Sequence, residues 1–456
     1  MNIPESGRVV IVDDIPDEGL PLLRSLSAKG IPATYFTGNI EELPDTQLPS
    51  VRILFLDIVL ETEGQDDKTK ISKAISVIDS IVDRKSGPFL VVAWTKHEEL
   101  IEGLKRVLKE EGFQFILINL EKNECRDNEG KYNINTIGNK LEEKLREIGC
   151  FHLFIIWENL VHKSSGTIVT AFTKFHDFDE DWNKNMSGVF LKLAEGFAGK
   201  QLDKSNNEQI VKNALFSFNS TFLDALESEI RNYEPKTIAL SFDNVSARVS
   251  PEIIGDINSK LLLAMESSKS ILPGNVYKDD VYEKDDKARR SMIYDLTDAY
   301  KICLSFAAEQ QSTDVKDICD EEHKRVRSEF RKEFEEYSKR IRNEIDKGSE
   351  VIVVEVTPYC DYAQKKWKAS RIVKGFLWPD EYEAILKKSD FSYISPIISY
   401  NGNLYYVVLD LRYFSSIDFS KLGDKNPLFR LKHHILIDIQ SKLAAHINRP
   451  GVMSVE

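Results

Sequence analysis

Five polar side chains in the first quarter of the chain are the ones best suited to do chemistry. Each lies directly after, or just beyond, a short apolar run; they are Asp13, Asp14, Asp57, Thr95 and Lys122. In an open parallel sheet ligands bind outside the carboxyl ends of the strands, so we expect all five to converge on one rim. Moving a phosphoryl group onto a carboxylate requires a nucleophilic Asp, a hard oxygen-bound Mg²⁺ and donors for the remaining phosphoryl oxygens. The set therefore predicts a phosphoryl-transfer site.

The three acids divide into a nucleophile and its metal ligands. Asp57 is the predicted phosphoacceptor. Asp14, with Asp13 acting directly or through water, is predicted to hold the Mg²⁺ alongside Asp57 and the backbone carbonyl of Val59. A single acid at a strand end commonly just caps the following helix, and it is the combination of three that favours a metal site.

A hydroxyl and a cation complete the predicted site. Thr95 is expected to donate to one phosphoryl oxygen, and Lys122 is expected to pair with another. Lys96, beside Thr95, is an alternative for the lysine. Either lysine could instead be a solvated surface residue.

The elements that must position these side chains alternate between strands and helices. Short apolar runs predict five strands, over 8–12, 31–36, 51–56, 89–93 and 113–120. Apolar residues at helical spacing follow the first run as far as Gly30 and recur over 71–82 and 98–110, whereas Pro and Asp within 37–50 make a helix doubtful there. Nearly continuous apolar strands imply a parallel sheet covered on both faces. We therefore predict an α/β fold over 1–125, a flavodoxin-like, doubly wound five-stranded parallel sheet of order 2-1-3-4-5.

This N-terminal quarter resembles the receiver domains of two-component response regulators, in an atypical, extended form. The resemblance is carried by Val9-Val10-Ile11-Val12-Asp13-Asp14 and Leu54-Phe55-Leu56-Asp57, with Asp57 lying 43 positions after Asp14. It implies phosphorylation of Asp57, Mg²⁺ as cofactor, and a histidine kinase or a GHKL-type ATPase as phosphodonor. Receivers of this kind occur in bacterial operons beside such ATPases, sometimes in phage-defence modules, which is an analogy at the level of the family.

Two features depart from the receiver pattern. The stretch 58–70 is long and acidic where a receiver has a short loop, and it places Thr95 later than usual. Lys122 follows Glu121 and lacks the usual proline after it. A receiver fold that is not phosphorylated can still bind a partner. The alternative function is therefore a phosphorylation-independent scaffold or effector subunit.

The rest of the chain is predicted to form a helical region over 126–348 and a small α/β output or interaction domain over 349–456. The charged, turn-rich stretch 273–287 is predicted to be a loop or linker. Apolar residues spaced three or four apart within 321–347 predict one amphipathic helix packed on its own domain, in preference to a coiled-coil dimer seam. Strands are expected over 351–356 and 404–411, with a turn at 401–403 and a final helix over 428–447.

Other reactive side chains have simpler interpretations. Cys360 follows a predicted strand and could be a nucleophile, but no Gly-rich oxyanion turn accompanies it, so a buried structural thiol is favoured. Zinc binding by Cys360 with downstream histidines is disfavoured because the ligands are not closely spaced. The remaining candidates are interpreted as structural or solvated residues: His162, His176, His433, His434, His446, Arg430, Lys442 and Arg449.

Bulk properties narrow the class of protein. A chain of 456 residues exceeds the size at which one core keeps growing, so several domains are expected. The net charge of −13 argues against nucleic acid as a partner. Scattered cysteines without a Cys-x-x-Cys pair predict reduced thiols, and the absence of a signal or membrane-spanning stretch predicts a cytoplasmic protein. We expect a receiver-containing signalling protein that binds a protein partner through its helical region, with homodimerisation as one alternative.

Overall fold

The computed structural model describes residues 9–61, 64–126, 132–174, 180–199, 202–234, 249–264, 270–311, 315, 318, 320–363, 368–423 and 425–448. The chain divides into two compact units. The first comprises Met1–Phe175 and Ser220–Asn244, and the second comprises His176–Asn219 and Val245–Glu456. Each unit has its own sheet. The three-part division into 1–125, 126–348 and 349–456 stays a prediction.

The first unit is built on a five-stranded sheet in which all neighbouring strands are parallel. Its order, β2-β1-β3-β4-β5, is the one predicted from the sequence. The strands are β1 (Val9–Val12), β2 (Thr34–Phe36), β3 (Ile53–Leu56), β4 (Phe89–Ala93) and β5 (Phe115–Asn119). β1, β3 and β4 are buried along their whole length, as expected for apolar strands covered on both faces.

Helices cover both faces of this parallel sheet. Residues of each central strand alternate between two apolar clusters, because successive side chains of a strand point to opposite faces. One cluster includes residues of α2 and α3, and the other includes residues of α1, α4 and α5. The helices are α1 (Pro16–Ala28), α2 (Asp67–Ile81), α3 (Ile101–Glu110), α4 (Ile134–Glu147) and α5 (Gly149–Thr173). Within 37–50, where a helix was doubtful, the chain forms only a 3₁₀ turn at Ile40–Glu42.

Long helices occupy the middle of the chain. α6 (Trp182–Ala198) and α7 (Asn207–Asn232) pack against each other around Ala194 and Ala214. α8 (Pro251–Leu262) follows after Ser250, whose hydroxyl accepts a hydrogen bond from the Ile253 amide as an N-cap. No helix in the described part of the chain combines the length and the apolarity needed to cross a membrane.

The second unit contains a seven-stranded sheet in which every pairing is antiparallel. The order is β10-β11-β8-β7-β6-β12, with β9 paired to β11. The strands are β6 (Asn275–Lys278), β7 (Glu350–Glu355), β8 (Ser370–Pro379), β9 (Ser392–Ile394), β10 (Ile398–Tyr400), β11 (Asn403–Ile417) and β12 (Phe429–Arg430). The expected strands over 351–356 and 404–411 are confirmed, as is the turn, in which Asn401 and Gly402 both have positive φ.

Two sequence predictions in this unit are wrong. The stretch 273–287 is not a linker, because β6 lies within it and pairs with both β7 and β12. The strand is short, its first three residues are buried, and the charged residues beside it made the stretch resemble a loop. The final helix begins five residues later than predicted, since Phe429–Arg430 forms β12 and α16 spans His433–Ile447.

The predicted single helix over 321–347 is two helices. α12 (Asp320–Glu329) and α13 (Arg331–Gly348) meet at Phe330, whose backbone is not helical at φ −117° and ψ 33°. The apolar stripe packs within its own unit, as predicted, since the Phe334 and Tyr337 rings both contact Phe306. Phe306 belongs to α11 (Ala299–Gln311), and the break lets both halves of the stripe contact it.

The remaining helices of the second unit are short and flank its sheet. They are α9 (Asp280–Glu283), α10 (Asp286–Leu296), α14 (Tyr359–Ala363) and α15 (Ser420–Gly423). α10 and α13 share an apolar cluster with β7, β8 and β11, whereas α8 and α16 contribute to a separate cluster with residues of the same strands. The C-terminal region is therefore an antiparallel sheet with helices on both faces.

Candidate functional site

The register of the parallel sheet brings the predicted site residues to one edge. The Asp57 amide donates to the Val12 carbonyl at 2.9 Å, and the Trp94 amide donates to the Leu56 carbonyl at 2.9 Å. Asp13, Asp57 and Thr95 therefore follow the ends of three adjacent strands at nearly the same level. This is the convergence that the strand-end positions predicted.

Lys122 lies at the centre of the site, with only 1% of its side chain exposed. Its Nζ is 2.5 Å from Asp57 Oδ2, 2.8 Å from Asp13 Oδ2 and 2.8 Å from Glu18 Oε2. Burial alone would lower the pKa of the ammonium, but the charges of Asp57 and Asp13 outweigh it and raise the pKa above its ordinary value. Lys122 is therefore a fully protonated, buried cation held by three carboxylates.

Asp57 receives hydrogen bonds on both carboxylate oxygens. Oδ2 accepts from Lys122, while Oδ1 accepts from the Thr95 hydroxyl at 3.3 Å and from the Val59 amide at 3.1 Å. The Thr95 hydroxyl in turn accepts a bond from the His97 amide at 3.1 Å, which fixes its orientation. Thr95 and Lys122 thus both contact the residue predicted to carry the phosphoryl group.

The three aspartates form a site suited to a divalent cation. One carboxylate oxygen from each of Asp13, Asp14 and Asp57 lies within 4.8 Å of the others. Asp14 Oδ2 accepts from the Glu61 amide at 2.8 Å, whereas Asp14 Oδ1 is buried and has no hydrogen-bond partner among the described residues. Three clustered carboxylates are the hard oxygen donors that Mg²⁺ prefers. The residues present fit the predicted metal.

The pKa values of Asp13 and Asp14 are raised above their ordinary values, mainly by burial. Burial raises the pKa of Asp13 to about 6, against the opposing effect of Lys122. Burial also raises the pKa of Asp14, and the nearby Asp57 charge adds to it. A divalent cation would relieve both effects, because it compensates the carboxylate charges that burial disfavours.

Glu18 belongs to the site although the sequence did not single it out. It lies in the first turn of α1, is almost fully buried, and pairs with Lys122, Lys96 and Arg126. Acids in a first helical turn are common, so neither its type nor its position distinguishes Glu18 from its exposed neighbour Asp17. The run of four acids within 13–18 was the one available signal.

The two lysine candidates have different partners. Lys122 contacts Asp57 directly, whereas Lys96 pairs with Glu18 and has 40% of its side chain exposed. Both lysines are thus linked through one carboxylate. The geometry assigns contact with Asp57 to Lys122, the first of the two predicted alternatives.

Among the described residues, the other side chains singled out from the sequence do not form a second metal-binding group. The side chain of Cys360 lies outside the described residues, as do His176 and Arg449. On α16 the His433 ring packs edge-on against Tyr359 at 4.7 Å, and Arg430 donates to the Tyr359 hydroxyl at 2.8 Å. Within the described ranges, the aspartate triad is the only group of three or more His, Cys, Asp or Glu side chains placed to bind a metal.

Comparison with protein-family models, with curated proteins and with solved structures finds no match for this chain. The resemblance to receiver domains therefore stays a prediction from the sequence motifs.

Proposed function

We propose that the first unit is a receiver that accepts a phosphoryl group on Asp57 and thereby controls the helical and C-terminal regions. The observation that carries the proposal is the environment of Asp57. Its carboxylate is contacted by Lys122 and Thr95, and two further aspartates lie close enough to share a cation with it. The strand order is that of the flavodoxin-like class, in which ligands bind at this edge.

The residues suit the steps of phosphoryl transfer. An Asp57 oxygen would attack the phosphorus of the donor, and the bond from phosphorus to the donor atom would break, with the electron pair leaving on that atom, which is an imidazole nitrogen in a phosphohistidine and an oxygen in acetyl phosphate. The product is an acyl phosphate on Asp57. Lys122 and Thr95 already donate hydrogen bonds to the Asp57 oxygens. After transfer, both would donate to the phosphoryl oxygens instead.

Mg²⁺ fits the same site, with Asp13, Asp14 and Asp57 as ligands and the Val59 carbonyl as the further predicted ligand. When bound, the ion supplies positive charge that neutralises the phosphoryl oxygens. The partner-free Asp14 Oδ1 is the observation in favour of this assignment. Asp13 and Asp14 would then act only as metal ligands and would not exchange a proton with the donor.

The phosphodonor we propose is a histidine kinase or a GHKL-type ATPase, and the output is a protein contact made by the helical region. Several large apolar side chains on the long helices are exposed and support such a contact, because exposed apolar surface is typical of interaction sites. On α5, Phe154 and Trp157 are each more than half exposed, and on α7 so are Leu215 and Leu223. The partner is a second protein or a second copy of this chain.

Intact-mass measurement after incubation with acetyl phosphate and Mg²⁺ tests the proposal. Wild type should gain roughly 80 Da, the mass of one phosphoryl group, and Asp57→Asn should not. Asp45→Asn, which changes an exposed aspartate of the same unit, is the matched control and should gain the adduct like wild type. Hydroxylamine should remove the adduct, because it cleaves acyl phosphates.

The opposite result would favour a scaffold. If wild type and Asp57→Asn both stay unmodified, with acetyl phosphate and with a candidate kinase, the unit is a docking fold whose acidic cluster is stabilised by its own cations, Lys96, Lys122 and Arg126. An adduct on Asp57→Asn equal to that on wild type would place the phosphoryl group on another residue.

A further inference from the structure

Glu18 joins the acidic site to residues outside it. Its Oε2 pairs with Lys122 at 2.8 Å, while its Oε1 pairs with Arg126 at 2.9 Å and also with Lys96. Burial alone would raise the pKa of Glu18, but hydrogen bonds from Lys122 and Lys96 outweigh it and lower the pKa below its ordinary value. The carboxylate is therefore ionised and shared among three cations, only one of which contacts Asp57.

Arg126 extends this network to the connection that follows β5. Its Nη2 lies 3.1 Å from the Tyr132 hydroxyl, and its guanidinium carbon lies 4.7 Å from the centre of the Tyr132 ring. The backbones of Arg126 and Tyr132 form an isolated antiparallel bridge, and α4 begins two residues later at Ile134. The contact thus joins the network to the start of α4.

The Tyr132 ring leads back to the phosphoryl-binding edge. It packs on Trp94 with the ring centres 5.5 Å apart. Trp94 is fully buried and immediately precedes Thr95, whose hydroxyl bonds to Asp57. Two routes therefore join Asp57 to Tyr132: one runs through Lys122, Glu18 and Arg126, and the other runs through Thr95 and Trp94.

We propose that Glu18 is a positioning residue that shares Lys122 with Asp57, so that negative charge added at Asp57 is transmitted through Arg126 to Tyr132, two residues before α4. The inference rests on the proposed function, since it names where phosphorylation of Asp57 is read. Glu18 does not contact the reacting atoms. It affects Asp57 only through Lys122, which contacts both carboxylates.

The charges around Asp57 determine in which direction Arg126 is expected to move. Four carboxylates, those of Asp13, Asp14, Asp57 and Glu18, face three cations, Lys96, Lys122 and Arg126. A phosphoryl group on Asp57 adds negative charge and strong acceptors, which draw Lys122 away from Glu18. A buried carboxylate that loses one cation binds the remaining ones more tightly. Arg126 is therefore pulled toward Glu18, and its bond to Tyr132 and the packing on Trp94 change with it.

Trp94 provides the measurement. The chain has five tryptophans, so the fluorescence emission of Trp94→Phe is subtracted from that of the protein with Trp94. The difference is assigned to Trp94. Each variant is incubated with acetyl phosphate and Mg²⁺, and the change in this emission is divided by the fraction of molecules carrying the 80 Da adduct. The variants are Glu18→Gln, which keeps the shape and removes the charge, and Tyr132→Phe, which removes only the hydroxyl. Asp17→Asn, an exposed acid in the same helical turn, is the control.

Wild type and Asp17→Asn should show the same emission change per adduct, and Glu18→Gln and Tyr132→Phe should reduce it by about fivefold or more. Tyr132→Phe should carry the adduct to the same extent as wild type, which keeps the test valid if Glu18→Gln does not fold. An adduct on wild type without a change at Trp94, or with an equal change in Glu18→Gln and Tyr132→Phe, overturns the link and leaves the proposed function standing. The absence of any adduct on wild type overturns both.

Discussion

Lys122 stabilises the acidic site from within, because its ammonium group lies among three carboxylates. A buried ammonium loses its hydration, and this loss is offset only when good partners surround it. Asp13, Asp57 and Glu18 supply three such partners: the ammonium group donates hydrogen bonds to Asp57 and Glu18 and forms an ion pair with Asp13. The same contacts orient the carboxylate of the predicted nucleophile, Asp57. A phosphoryl group and a cation arriving at this edge would exchange these partners without unfolding the cluster.

Replacement of Asp14 should weaken metal binding. Its Oδ1 has no hydrogen-bond partner among the described residues, so the replacement removes one hydrogen bond from the protein, that of the Glu61 amide to Oδ2, and removes a ligand from the metal. We expect Asp14→Ala to lower the affinity for Mn²⁺ or Mg²⁺ by at least about tenfold in a calorimetric titration. Asp45→Ala is the control and should bind like wild type, whereas equal affinities of Asp14→Ala and wild type would exclude this ligand.

Glu355 should make the stability of the second unit depend on pH. Burial raises its pKa from 4.5 to about 6, although bonds from the Thr357 amide and hydroxyl oppose the rise. The folded state thus holds the proton more tightly than the unfolded state. The stabilisation is fully present below pH 4.5 and is lost as the pH rises through 6, and for this shift it is about 2 kcal/mol.

Glu355→Gln tests this dependence. Because the amide has no charge to desolvate, the variant should be more stable than wild type at pH 7.5 by up to about 2 kcal/mol and nearly equal to it at pH 4.5. Urea unfolding at the two pH values measures both differences. A stability difference that is the same at pH 4.5 and 7.5 would show that ionisation of Glu355 does not contribute.

At the residue scale, strand-end position made most of the site predictable. Asp13, Asp14, Asp57 and Thr95 were identified because parallel strands end at a common edge, and that reasoning needs only the order of apolar runs. Glu18 was missed because its burial depends on Lys96, Lys122 and Arg126 meeting in space. No spacing rule reports such a meeting.

At the element scale, the pairing of β8 with β11 leaves no room at Gly375. An added Cβ would lie 2.0 Å from the Val408 carbonyl oxygen and 2.8 Å from the Leu409 Cα, both backbone atoms of the paired strand. Gly375→Ala should therefore separate the strands and destabilise the second unit by about 3 kcal/mol or more. Thermal unfolding followed by circular dichroism would measure this loss.

A second glycine of the same unit is the matched control. Gly188 lies within α6, is exposed, and has no atom within 4 Å of an added Cβ. Gly188→Ala should leave stability unchanged or raise it by up to about 1 kcal/mol, since Ala favours a helix. If Gly375→Ala were as well tolerated as Gly188→Ala, the close packing of β8 on β11 would be wrong.

Elements were predictable where the apolar pattern was long or regular. β1, β3 and β4 are almost wholly apolar, and α2 and α3 have clear helical spacing. β6 was missed because three buried residues stand beside a charged stretch, and its strand character comes from pairing with β7 and β12. The break at Phe330 is also invisible to spacing, because the apolar residues continue in phase on both sides while the backbone between α12 and α13 departs from the helix.

At the scale of the whole molecule, the two sheets are assembled in different ways. The strands of the parallel sheet all lie within 9–119, and each strand is joined to the next along the chain by a segment that contains a helix or a 3₁₀ turn. The antiparallel sheet joins β6 to β12, which are separated by about 150 residues of intervening chain. Bringing the two ends of such a long segment together costs chain entropy, and this cost precedes the stabilisation that strand pairing provides. Sheets of this kind therefore form slowly. The order of elements along the chain gave no indication that β6 and β12 are neighbours.

This difference has a consequence for timing on the ribosome. All strands of the parallel sheet have been synthesised once Asn119 has emerged, whereas the antiparallel sheet lacks its edge until Arg430 is made. At about 5 to 20 residues per second, those events are separated by roughly 15 to 60 s. The residues of the acidic edge, including Lys122, are therefore made well before β6, and β6 lacks its β12 partner until the interval ends. If the acidic edge binds a cation as proposed, we expect binding before the second sheet is complete.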